Sequence, residues 1–178
     1  MLLSTVDGTN IKNNINTNKM KQFILFLFIA CLSSSCSDKY DAEEQHADDI
    51  TAIENYLTAN NLDYSITAGG VYYYIEEEGN NDGSPTIDNT VVCNYIGFFF
   101  DRLAEDGIVS IFDGTTDTPA TFPLQNVIKG WQEGIPKMSR NATGRFYIPS
   151  TLAYGNQGSR DIGRNEILVF DIGLVHFY

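Results

Sequence analysis

Leu168, Phe170, Ile172 and Leu174 alternate with Val169, Asp171 and Gly173 near the end of the chain. A repeat of two puts successive side chains on opposite faces of an extended backbone, so this run reads as a strand with an apolar face to bury. Further β-prone runs occur at 71–75, 91–100, 108–112 and 145–148. Turn-forming segments divide them, among them Ala68-Gly69-Gly70 and Asp106-Gly107. Inside this set only residues 129–135 suit a helix, a short one with Pro136 near its end. Mostly antiparallel strands packed on one short helix make an α+β domain. A second helix is expected ahead of the sheet at 48–59, where Ile50, Ile53, Tyr56 and Leu57 recur at helical spacing. Asp48 and Asp49 suit the positive end of that helix. Packing on the domain and pairing with a second copy both remain open for it.

The first residues read as a targeting segment. Residues 1–19 are rich in Asn and Thr and have no apolar periodicity, which makes Met20 the expected start and the rest an unused extension. Lys21 and the apolar run 23–32 are followed by Ser33-Ser34-Ser35-Cys36. A basic start, an apolar stretch of about ten residues and a small-residue cleavage site describe a secretion signal. The run falls short of the roughly 20 apolar residues that a spanning helix needs. Cys36 resembles the lipid-attachment cysteine of bacterial lipoproteins, although Ser33 stands where Leu is usual; Cys31 and an ordinary cleaved signal are the alternatives. The resulting division is an extension at 1–19, a lipoprotein signal at 20–35, a flexible tether at 36–47, a helical appendage at 48–66 and the sheet domain at 67–178.

Charge and composition exclude several functions. The net charge is −12, and loss of the leader removes Lys12, Lys19 and Lys21 against only Asp7. Such a surface repels nucleic acid and anionic headgroups. With Cys36 acylated, Cys93 has no partner for a disulfide within the chain. His46 and His176 are the only histidines, so a zinc hydrolase is disfavoured, and no metal or cofactor is expected. Cys93 has no adjacent histidine to activate it and reads as a small buried strand residue.

Residues 122–170 place aromatic and branched side chains beside backbone turns, without a nucleophile, base and orienting acid in one pattern. Chemistry there must come from the shape and dryness of a pocket. The ordered set consists of Tyr95-Ile96-Gly97, Phe112-Asp113, Ala120-Thr121-Phe122-Pro123-Leu124, Val127-Ile128-Lys129-Gly130-Trp131-Gln132-Glu133-Gly134, Met138, Ile148-Pro149, Leu152-Ala153-Tyr154-Gly155, Asn165 and Phe170-Asp171. From 90 to 175 its order and spacing resemble those of the FKBP-type peptidyl-prolyl cis-trans isomerases. The resemblance implies a curved antiparallel sheet wrapped around the short helix, and non-covalent isomerisation of X–Pro bonds in envelope or secreted polypeptides. By position, Trp131 would form the pocket floor, and Tyr95, Phe112, Phe122 and Phe170 its walls. Val127 and Ile162 would add branched apolar contact. The Ile128 N–H and the Tyr154 hydroxyl would donate to substrate, and Asp113 would sit beside the twisting imide or hold Tyr95.

The chain departs from that pattern at Ile96, where Thr is common, and at Gly163-Arg164, where the family carries two prolines before Asn165. The altered loop keeps two rivals open. One is a non-catalytic proline-peptide-binding or chaperone module of the envelope. The other is a structural envelope protein whose acidic helix recruits a partner. The sequence also leaves monomer and dimer undecided.

Overall fold

The computed structural model describes residues 39–103 and 110–178. The expected extension, signal peptide and lipid-attachment Cys36, and the turn at Asp106-Gly107, lie outside the described residues. Among the described residues seven strands form one sheet: β1 (Ser65–Ile66), β2 (Tyr72–Glu77), β3 (Thr90–Phe99), β4 (Ile111–Gly114), β5 (Ala120–Pro123), β6 (Thr143–Ile148) and β7 (Leu168–Phe177). Their spatial order is β1-β2-β6-β7-β3-β4, with β5 also on β3. Every pairing is antiparallel.

Strand β3 organises the sheet. One of its edges runs along β7 from Val91 to Phe99. Its other edge serves two partners in turn: Val91 faces Phe122 and Cys93 faces Ala120 in β5, while Gly97 faces Asp113 and Phe98 faces Ile111 in β4. Pro123 is tolerated in β5 because that strand lies at an edge, where its missing N–H breaks no inner ladder. Register shifts at Val92/Cys93, Gly97/Phe98 and Ile75/Glu77 act as bulges. Bulges bend a strand and sharpen its twist, which curls the sheet.

The expected alternation sorts the core onto two faces. Leu168, Phe170, Ile172 and Leu174 of β7 are buried with Phe146 and Ile148 of β6, and with Trp131 of a short helix. On the opposite face Phe98, Tyr147 and Val169 are closed over by Ile53 and Leu57 of a longer helix. That longer helix is α1 (Ala42–Ala59) and the shorter is α2 (Lys129–Gly134).

Helix α1 corrects two expectations. It begins at Ala42, so residues 42–47 are helix and not tether. Asp41 caps it, with Oδ1 accepting the N–H groups of Glu43 at 2.9 Å and Glu44 at 3.3 Å, and Glu43 and Glu44 place further negative charge in the first turn. Asp49 consequently lies in the helix interior rather than at its positive end, on the buried face with Ile53 and Leu57. The helix packs on the sheet it precedes, and Glu54 accepts a 2.6 Å hydrogen bond from the Tyr72 hydroxyl.

Close approach of α2 depends on glycine. A Cβ at Gly130 would lie 2.8 Å from Ile148 Cδ1 and closer still to its Cγ2; one at Gly134 would lie 2.7 Å from Phe146 Cδ1. Both neighbours are fully buried core side chains of β6 and have no room to retreat. Gly130→Ala should therefore lower stability by about 1–3 kcal/mol, read as a drop in the urea midpoint at unchanged slope. Gly173→Ala, whose methyl would meet Thr143 Cγ2 at an ordinary 3.8 Å, is the control and should stay within about 0.5 kcal/mol.

Candidate active site

The curled sheet and α2 enclose a cavity of about 310 Å³. Ile128 caps α2 in an extended conformation and accepts the Trp131 N–H at 3.0 Å. One turn of helix thus sets the indole across the cavity floor, where only 4% of the residue is exposed. Three rings stand nearly upright on it: Tyr95 at 5.1 Å and 84°, Phe170 at 5.3 Å and 85°, and Phe122 at 5.6 Å and 90°. Edge-to-face contact is the favoured arrangement of aromatic quadrupoles, so floor and walls hold one another. Phe112 extends the wall from β4, 5.5 Å from Phe170 at 88°. A Cβ at Gly97 would lie 2.6 Å from Phe112 Cζ and 2.9 Å from Phe170 Cε1. The absent side chain on β3 is what lets those two rings meet above the strand.

Polar groups are few and directed. The Tyr95 hydroxyl donates to Asp113 Oδ2 at 2.8 Å, and the Gly114 N–H donates to Asp113 Oδ1 at 2.9 Å. Burial, and then the Asp113 carboxylate, push the Tyr95 phenol well above its ordinary value. It stays protonated and stays a donor. Burial, followed by the charge of Asp113, also raises Tyr154. Tyr154 is 38% exposed and lines the cavity; its hydroxyl forms no hydrogen bond among the described residues and is available at the mouth. The Ile128 N–H forms no hydrogen bond among the described residues, so the helix approach presents a second donor.

Tyr95, Phe112, Asp113, Phe122, Val127, Ile128, Trp131, Tyr154 and Phe170 all line this one cavity. Ile162 does not. Its N–H donates to the Ser159 carbonyl at 3.0 Å, and its carbonyl accepts from the Ser159 N–H at 2.9 Å. Its side chain is buried in the concave core at 8% exposure. Asn126 lines the cavity and was missed from sequence. Its position just before Val127 was the available signal. Cys93 is buried on β3, where burial pushes its thiol up to about 12, so it is not a thiolate near neutrality. A larger groove of about 580 Å³ lies elsewhere on the sheet, among Glu76, Glu77, Asn94, Thr143 and Asp171. It offers carboxylates, amides and hydroxyls where the smaller cavity offers facing rings.

A strongly bent antiparallel sheet around one short helix, with an indole-floored cavity between them, defines the class of fold and site. Residues 81–175 match the family of FKBP-type peptidyl-prolyl cis-trans isomerases, and the chain belongs to that family. It is similar to the peptidyl-prolyl cis-trans isomerase Mip of Coxiella burnetii, 39% identical over 125 residues, covering 67% of this chain and 51% of the relative. It is also similar to the probable FKBP-type peptidyl-prolyl cis-trans isomerase FkpA of Neisseria meningitidis, 35% identical over 172 residues, covering 95% of this chain and 59% of the relative. The crystal structure of a peptidyl-prolyl cis-trans isomerase from Pseudomonas syringae superposes with a TM-score of 0.63 at 27% identity, over 78% of this chain and 97% of that one. The chain spans about half the length of the curated relatives it matches.

The Tyr95–Asp113 pair carries a pH signature. A phenol whose proton is held more tightly when folded stabilises the protein fully below the ordinary tyrosine value of 10.0, and this stabilisation is lost as pH rises beyond it. The stability advantage of the wild type over Tyr95→Phe should therefore narrow above pH 10, measured by denaturant unfolding across the alkaline range.

Proposed function

We propose that the chain is a peptidyl-prolyl cis-trans isomerase acting on X–Pro bonds of envelope or secreted polypeptides. The observation that carries this reading is the upright ring box on Trp131, an apolar floor and walls that suit a flat, apolar prolyl ring. Rotation about the X–Pro bond crosses a barrier of about 18–20 kcal/mol because it breaks amide conjugation. At the top of that barrier the nitrogen is pyramidal and the planar resonance form is lost. Water solvates the planar amide better than the twisted one. A cavity that replaces water with ring faces removes that advantage, and so favours the twisted state relative to the ground state.

The remaining groups act by position. The Ile128 N–H and the Tyr154 hydroxyl can hold backbone carbonyls of the peptide on the prolyl side of the bond. One side of the bond is thereby anchored while the other turns. Asp113 accepts from the Tyr95 hydroxyl and would set a fixed negative charge beside the twisting imide. No bond to the protein forms or breaks. Cys36, the expected lipid attachment, and the apolar run before it support a place in the cell envelope, held to a membrane by acyl chains.

Exchange NMR on an X–Pro peptide with the purified chain tests the reading. Trp131→Leu should weaken peptide binding by at least about 1 kcal/mol. Tyr154→Phe should cost about 0.5–1.5 kcal/mol, as expected for one neutral hydrogen bond. Asp113→Ala should lower the exchange rate more than it lowers the unfolding midpoint. Equal exchange rates with and without protein would overturn the enzyme reading, and peptide binding without faster exchange would assign a binding or chaperone role.

A further inference from the structure

Asp49 is 3% exposed and sits on a helix that contributes nothing to the cavity lining. Its Oδ2 accepts the Ser150 N–H at 2.7 Å and the Ser150 hydroxyl at 2.6 Å, and its Oδ1 accepts from Gln45 Nε2 at 2.8 Å. One turn earlier on α1, His46 Nδ1 lies 2.6 Å from Thr151 Oγ1. Two residues of the helix thus hold two consecutive residues of a distant segment. A carboxylate is costly to bury unless its oxygens are met by donors, and here they are. Ile53 and Leu57 already bury the same helix face against the sheet without it. Docking α1 needs no buried charge. Capturing Ser150 through both its backbone and its side chain does.

Ser150 opens a 3₁₀ turn, Ser150–Leu152, whose next two residues are Ala153 and Tyr154. The Leu152 N–H donates to Pro149 O and the Ala153 N–H to Ser150 O, both at 2.9 Å. Beyond Tyr154, the Gly155 carbonyl accepts the Asn165 N–H at 2.9 Å. The segment carrying Tyr154 is therefore tied at one end to α1 and at the other to the loop before β7. We propose that Asp49, with His46, makes α1 a positioning element of the prolyl cavity, setting Tyr154 at its mouth by fixing Ser150 and Thr151. Neither residue touches the peptide; each acts through Tyr154. The inference rests on reading this cavity as the isomerase site. It makes the helix ahead of the sheet part of the catalytic architecture and more than a spacer.

The test uses the full chain with Asp49→Ala, Asp49→Asn and His46→Ala, each in the wild-type and the Tyr154→Phe backgrounds. Catalytic efficiency toward an X–Pro peptide is read beside hydrogen exchange at the Leu152 and Ala153 amides. Asp49→Ala should lower kcat/KM about tenfold, and Asp49→Asn, which keeps an acceptor for Ser150, should recover part of the loss. In the Tyr154→Phe background the same substitution should cost less than about twofold, because the residue through which it acts is already disabled. Amide exchange at Leu152 and Ala153 should accelerate while β6 and β7 stay protected. Equal losses in both backgrounds, or unchanged exchange at those two amides, would overturn the proposal. Should Asp49→Ala fail to fold, Asp49→Asn and His46→Ala carry the same comparison. A wild type that does not accelerate isomerisation would remove the enzyme reading alone: peptide affinity and amide exchange in these variants would still decide whether Asp49 positions Tyr154.

Discussion

Contact between α2 and the concave face of the sheet is the constraint on which the rest depends. A six-residue helix has too few turns to be stable by itself. It persists because Gly130 and Gly134 let its backbone descend onto Ile148 and Phe146, closer than any side chain would permit. That depth sets the height of Trp131. With the indole lower or higher, Tyr95, Phe122 and Phe170 could not all meet it edge to face. The cavity is thus a consequence of how two elements approach, and its walls are also core residues.

Electrostatics follow the same geometry. The chain is strongly acidic, yet Asp113 is the one carboxylate among the described residues that line the cavity, and its two oxygens are held by Tyr95 and Gly114. Burial and that carboxylate keep the Tyr95 phenol protonated. The result is a dry apolar interior edged by donors, a setting that discriminates by shape and dipole more than by charge. On the opposite face of the sheet, beside the region covered by α1, Arg145 and Asp171 form a two-point pair at 2.5 and 2.6 Å. That ion pair belongs to the scaffold and lies outside the residues that line the cavity.

Much of the fold was legible along the chain because it is written in short-range pattern. The period of two in β7 and the apolar character of β2, β3 and β6 mark their strands, and the short run 129–135 ahead of Pro136 marks α2. Strands β1 and β5 were not assigned, since one has two residues and the other ends in Pro123; both exist through pairing with a longer neighbour. The early start of α1 was hidden because residues 42–47 lack apolar periodicity, and a single cap at Asp41 decides it. The cavity residues were legible as an ordered set. Ile162 falls outside the lining residues: its backbone is bridged to Ser159, and its apolar side chain packs into the core.

By itself the sequence determined which side chains can be buried, where the backbone can extend or turn, and which family the ordered aromatic residues belong to. The first two follow from neighbours a few positions apart, and the third from the order and spacing of short motifs along 90–175. Tertiary structure alone decided that α1 closes the outer face of the sheet, and that Asp49, an acidic residue with every local reason to face water, is buried against Ser150. Their separation along the chain is 101 residues. No local periodicity records a hydrogen bond over that distance, because only the folded path of the backbone brings donor and acceptor together.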